Sequence, residues 1–113
     1  DAYGRAQPCM GVRAPELTLD LLHSSLSEAL DRFATLREMR ATNPEYLRRC
    51  ARCFLKGLCE QCPGKSWAEH GGYDTPVEYL CQVAHAQALW LGWLSDGEKS
   101  WEVAEWRQRL EAT

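Results

Sequence analysis

No stretch of this 113-residue chain is long and apolar enough to span a bilayer, which takes ~20 consecutive apolar residues. The longest candidate, Ala84 to Leu94, is short and carries His85 and Gln87. Basic charge is not in excess either. Lys and Arg number 13 against 16 Asp and Glu, a formal net charge of −3, so no positive field recruits nucleic acid. There is no initiator methionine, no charged-then-apolar leader and no cleavage site, and a chain starting abruptly at Asp1 is expected to be either a mature product or a piece of a longer protein, the cysteines arguing for the second. Internal repeats and low-complexity segments are missing as well. These absences lead to an expected cytoplasmic location without membrane or nucleic-acid partners. The length allows one domain with a modest core.

Cysteine is what the chain does have. Cys9 stands alone, Cys50, Cys53, Cys59 and Cys62 fall close together, and Cys81 follows. The run reads Cys50-Ala-Arg-Cys53-Phe-Leu-Lys-Gly-Leu-Cys59-Glu-Gln-Cys62-Pro63. Two CxxC pairs in tandem bring four sulfurs together, which suits a metal or cluster. A secreted disulfide domain would spread its bridges along the chain. No βαβ pattern surrounds either pair, which argues against a thioredoxin-like redox site. Thiolates alone suit zinc and iron–sulfur alike. The short spacer between the pairs is tight for a zinc ribbon, and Cys62-Pro63 matches the Cys-Pro ending of bacterial ferredoxin runs. His23, His70 and His85 read as ordinary surface or core residues rather than ligands. Six thiolates make one tetrad and leave two without partners in this chain.

The surroundings are expected to be mostly helical, with little sheet. Residues 1–13 read as a short hairpin or loop with Gly4 in the turn. Ser25-Leu-Ser-Glu28 is a capping box, and Leu26, Ala29, Leu30, Phe33 and Leu36 recur at helical spacing, which predicts a helix over 25–41. Asn43-Pro44 stops it and opens a short turn of helix. Residues 50–74 are expected to form the irregular cysteine-rich loop. Thr75-Pro76-Val77-Glu78 predicts a capped helix over 76–94, with Tyr79, Leu80, Val83, Ala84 and Ala86 toward a core and Cys81 facing the cysteine run. After Ser95-Asp96-Gly97, a last helix is expected over 98–111, with Trp101, Ala104 and Leu110 on one face.

The order Gly4-x4-Cys9, a long gap, Cys50-x2-Cys53-x5-Cys59-x2-Cys62, then a gap to Cys81, resembles the SPASM domain. That family is the C-terminal auxiliary-cluster module of radical SAM enzymes that modify peptides and proteins. The resemblance covers Gly4 to Cys81. The family pattern has x3 where this chain has x2 before Cys62, and a further cysteine ahead of the glycine that this chain does not contain. The resemblance implies a small SPASM-like domain with two interleaved [4Fe–4S] sites. Cys50, Cys53, Cys59 and Cys81 would hold the second auxiliary cluster, and Cys9 and Cys62 would be a partial set for the first. The partners it implies are the radical SAM barrel of a parent chain and a peptide or protein substrate.

Clusters with thiolates on every iron leave no open position, so the expected role is electron transfer. Cleavage of S-adenosylmethionine needs the family's Cys-x3-Cys-x2-Cys motif. No two cysteines here are separated by three residues, so this chain alone is not expected to catalyse it. The rival reading is a structural zinc site or a partner-docking module without redox role. Glu60, Glu69, Asp74 and Glu78 read first as solvated or capping groups. Trp67, Trp90, Trp93, Trp101 and Trp106 read first as packing residues. Arg48, Arg49 and Arg52 flank the run and either steady its negative charge or face water.

Overall fold

The N-terminus turns back on itself at once. The amide of Gly4 donates to the carbonyl of Asp1 at 3.2 Å, and Gly4 takes φ 79°, a conformation that favours glycine. The computed structural model describes residues 1–113. It is mostly helical, with five α-helices and one antiparallel pair of two-residue strands. Two compact units make up the chain. One holds Asp1–Ala41 and Cys62–Asp74, the other Thr42–Gln61 and Thr75–Thr113. The chain therefore passes between them three times.

In the first unit, β1 (Arg5–Ala6) pairs with β2 (Leu19–Asp20), Arg5 opposite Asp20 and Ala6 opposite Leu19. The hairpin expected within residues 1–13 is thus wider, because its second strand lies beyond residue 13. Pro8 has no amide to give to a ladder, and Cys9 to Val12 closes a turn in its place (Val12 N to Cys9 O, 3.1 Å). A 3-10 turn at Pro15–Leu17 then leads into β2. Val12, Ala14 and Leu17, from the connection between the strands, form a buried cluster with Leu36, Trp67 and Tyr73 packed on it. Helix α1 (Leu26–Glu38) begins at the capping box read from the sequence. Ser25 Oγ accepts from the Glu28 amide, and Glu28 accepts from the Ser25 amide, each at 3.1 Å. Only Ala29 of its apolar stripe is buried, while Leu26 and Leu30 stay exposed.

Helix α3 (Pro63–His70) falls inside the stretch expected to be loop. Its start is legible only with hindsight. Pro63 sits at the first helical position, and the cap is a thiol: Cys62 Sγ accepts from the Lys65 amide at 3.3 Å. Gly71 ends the helix in the left-handed conformation, φ 75°. Gly64 is not a breaker here. A Cβ at that position would lie 2.3 Å from the Gly11 carbonyl oxygen, so only glycine lets the first turn of α3 reach the Cys9–Val12 turn.

The second unit opens with α2 (Pro44–Arg48), where Asn43 Oδ1 accepts from the Glu45 amide at 2.9 Å. A 3-10 turn at Leu55–Gly57 interrupts the cysteine run. Helix α4 (Glu78–Trp90) is shorter than the expected 76–94 at both ends. Its N-cap is Val77, not Thr75, and Val77 has no capping side chain of its own. Leu80, Ala84 and Ala88 face the core, whereas Tyr79, Val83 and Ala86 face solvent. Leu55, Ala84, Ala88 and Leu94 form the buried centre, with Phe54, Leu58, Trp93 and Val103 around it. The last helix, α5, is only Trp106–Glu111. Residues 95–105 are turns, because Trp101 and Ser100 are committed to tertiary partners described below. No helix is long and apolar enough to cross a membrane.

Candidate metal centre

Within the second unit, Cys50, Cys53, Cys59 and Cys81 line one cavity of ≈ 270 Å³. Three different devices bring them there. Cys50 follows α2, whose end carries Arg49. Cys53 and Cys59 flank the 3-10 turn, and the buried Leu55 between them anchors that turn in the core. Cys81 comes from the beginning of α4, 22 positions after Cys59 in the sequence.

The register of α4 against the cysteine run is fixed by Gln61. Its Nε2 donates to the Val77 carbonyl at 2.8 Å, and its Oε1 accepts from the Val77 amide at 3.1 Å. One side-chain amide thus clasps both polar groups of the residue that opens α4. A clasp of two neutral hydrogen bonds is worth about 1–3 kcal/mol. Arg49 adds a second tie, donating twice to the Glu78 carboxylate at 2.5 and 2.9 Å.

The thiols carry further contacts. Cys53 Sγ lies 2.9 Å from the hydroxyl of buried Ser100 and accepts from the Leu55 amide at 3.4 Å. Arg49 Nη2 donates to Cys81 Sγ at 3.4 Å. The Ser100 amide donates to His85 Nε2 at 3.2 Å, which leaves the proton of a neutral ring on Nδ1, directed at the Cys81 carbonyl 2.8 Å away. His85 therefore ties α4 to the Ser100 turn, with Nδ1 also 3.6 Å from Cys81 Sγ. Burial pushes the Cys50 thiol up to about 11, against the opposing pull of Arg49, and burial likewise raises Cys59. Both thiols are therefore held in the protonated form at neutral pH.

Two observations bear on what the cavity accommodates. No three Cys, His, Asp or Glu side chains converge as ligands of a single ion. A tetrahedral zinc with Zn–S near 2.3 Å needs sulfurs about 3.8 Å apart. The four thiols share the lining of the ≈ 270 Å³ space with Tyr46, Arg49, His85 and Trp101. Second, Arg49 Nε and Trp101 Nε1 are buried N–H donors without a protein acceptor, and both residues line the cavity. An anionic sulfur-rich group offers acceptors for such donors.

Cys9 and Cys62 belong to the first unit and are not in the lining of this cavity. Cys9 is exposed and Cys62 half-buried, and the Gly11–Gly64 approach brings the Cys9 turn against the first turn of α3, which Cys62 caps. All six thiols are free. Of the flanking arginines, Arg48 pairs with Glu45 on the surface. Arg49 is the one directed at a cysteine. Gln61, Ser100 and Trp101 were not singled out in the sequence as neighbours of the cysteines. Gln61 alone carried a signal, lying between Cys59 and Cys62. Against family models, curated proteins and solved structures, the chain gives no match.

Proposed function

We propose that Cys50, Cys53, Cys59 and Cys81 hold a [4Fe–4S] cluster and that the chain is a SPASM-like auxiliary electron-transfer module of a radical SAM enzyme acting on a peptide or protein. The observation that carries this is the composition of the cavity. Its thiols include the distant Cys81 and exclude the adjacent Cys62, as an interleaved pair of sites requires. Cys9 and Cys62 are, on this reading, the partial ligand set of the other cluster.

When bound, a cluster with four protein thiolates supplies reversible one-electron transfer without an open iron. The chain's own residues keep the thiols converged and shield them. Gln61 and the Arg49–Glu78 pair hold α4 in register, the Leu55 amide donates to Cys53 Sγ, and the Ser100 hydroxyl shares a hydrogen bond with it. On this reading, cleavage of S-adenosylmethionine would belong to a separate barrel, as the family resemblance implies, and this sequence has no Cys-x3-Cys-x2-Cys motif of its own. Free thiols in this number accord with a reducing, cytoplasmic setting.

Anaerobic reconstitution with iron and sulfide tests the proposal. Roughly four iron per chain, a brown colour and a broad visible band are expected. Tightly bound zinc without iron, in protein kept anaerobic throughout, would replace this reading with a structural zinc site.

A further inference from the structure

Arg49 is the one cation whose side chain reaches a sulfur of the cavity. It donates from Nη2 to Cys81 Sγ at 3.4 Å, while Nη1 and Nη2 grip the Glu78 carboxylate at 2.5 and 2.9 Å. Its guanidinium carbon lies 4.8 Å from the centre of the Trp101 ring, and the side chain is 12% exposed. A second carboxylate, Glu45, stands 3.8 Å from Nη1 on the outer side. Nε remains buried and without a partner. Such a charge is poorly screened, so its effect on neighbouring sulfur is larger than that of a surface arginine. Glu78 opposes it. The carboxylate is held by the same guanidinium and is itself more exposed, at 61%.

Resting on the cluster reading above, we infer that Arg49 and Glu78 form an opposed pair that sets the reduction potential of the group bound at Cys81. Adding one electron makes that group one unit more negative, with no bond formed or broken and no proton taken up. A positive guanidinium hydrogen-bonded to the ligand sulfur favours the more negative state and raises the potential. The Glu78 carboxylate, partly cancelling the same charge, lowers it. The pair thus has a sign that a merely structural salt bridge lacks. Removing either partner of a clamp would shift stability the same way, whereas here the two removals shift the potential in opposite directions.

The test is an anaerobic spectroelectrochemical titration of the reconstituted chain, with viologen mediators carrying the electron, on wild type, Arg49→Gln, Arg49→Lys and Glu78→Gln. Arg49→Gln is expected to make reduction about tenfold less favourable at fixed potential, a fall of about 59 mV for a one-electron couple. Arg49→Lys, which keeps charge but not the fork, is expected to fall by less. Glu78→Gln is expected to rise. Potentials unchanged in iron-loaded Arg49→Gln and Glu78→Gln, or shifted in the same direction in both, would overturn the inference while leaving the cluster reading intact. If Arg49→Gln fails to keep iron, Glu78→Gln decides alone: a raised potential supports the pair and an unchanged one overturns it. Loss of iron from both variants makes the pair a structural clamp and also overturns it. Wild type that takes up no iron fails at the earlier step, the cluster reading itself.

Discussion

Single side chains decide which thiols act together. Cys81→Ser removes one of the cavity's sulfurs and should cost the chain most of its iron on reconstitution. Cys62→Ser and Cys9→Ser, altering the other unit, should leave it largely in place. Iron assay and visible absorbance separate the cases, and bleaching by Cys62→Ser but not Cys81→Ser would show that the nearer cysteine is the ligand. Gly64→Ala brings a Cβ to 2.3 Å from the Gly11 carbonyl oxygen, a contact that only a backbone shift relieves. A loss of about 1–3 kcal/mol is expected in urea unfolding. The tandem spacing of Cys50, Cys53, Cys59 and Cys62 was legible at this scale, because sulfur spacing is a local property of the sequence. The residues that brace the set were not. Gln61 and Val77 are 16 positions apart, Arg49 and Glu78 29, and Cys53 and Ser100 47. No periodicity links such positions, and nothing in Ser100 distinguishes it from any other serine until the chain is folded.

Elements were legible where their ends are written in standard side chains. The Ser25–Glu28 box and the Asn43-Pro44 start are of that kind. Helix α3 was missed because its cap is a thiol and its first turn holds a glycine kept for close approach. The C-terminal helix was overextended because Trp101 and Ala104 continue the spacing of Leu110, yet Trp101 is held against His85 and Arg49 instead. The turn ahead of α5 is secured by charge. Arg109 grips the Glu98 carboxylate at 2.5 and 2.8 Å and also meets Glu105. The Arg109 guanidinium, with help from the Ser95 amide, holds the Glu98 carboxyl down at about 2, below its ordinary value near 4.5. A depressed folded-state value stabilises above the unfolded value and is lost as pH falls through the folded one. Amide protection of α5 is therefore expected to decline between about pH 4.5 and 2. Glu98→Gln should abolish that acid-dependent step, and an identical profile in the variant would refute the assignment.

At the scale of the whole chain, metal and folding should be coupled unequally. The thiols of the second unit converge around a cavity, and the stretch 50–61 has only one short 3-10 turn of regular structure. Stripping metal should release that stretch first, while α1 and the Val12–Ala14–Leu17 cluster keep their protection. Hydrogen exchange on loaded and stripped protein checks this, and equal protection of 50–61 in both would count against it. The mostly helical class was readable from spacing, but the division into two units was not. Each unit is assembled from two separated segments, and the changeover between Gln61 and Cys62 lies inside what reads as one continuous motif.

The stacking of Arg49 on Trp101 has an optical consequence. Trp101 lines the cavity with its indole nitrogen buried and unpartnered, and its ring is faced by the Arg49 cation beside the thiols. A strongly absorbing group seated there would drain the indole's emission by energy transfer, and Trp101 would be among the fluorophores nearest to it. The chain thus carries its own lamp at the cavity wall. Brightening on chelation, largest in wild type and much reduced in Trp101→Phe, would follow occupancy in real time with no added dye.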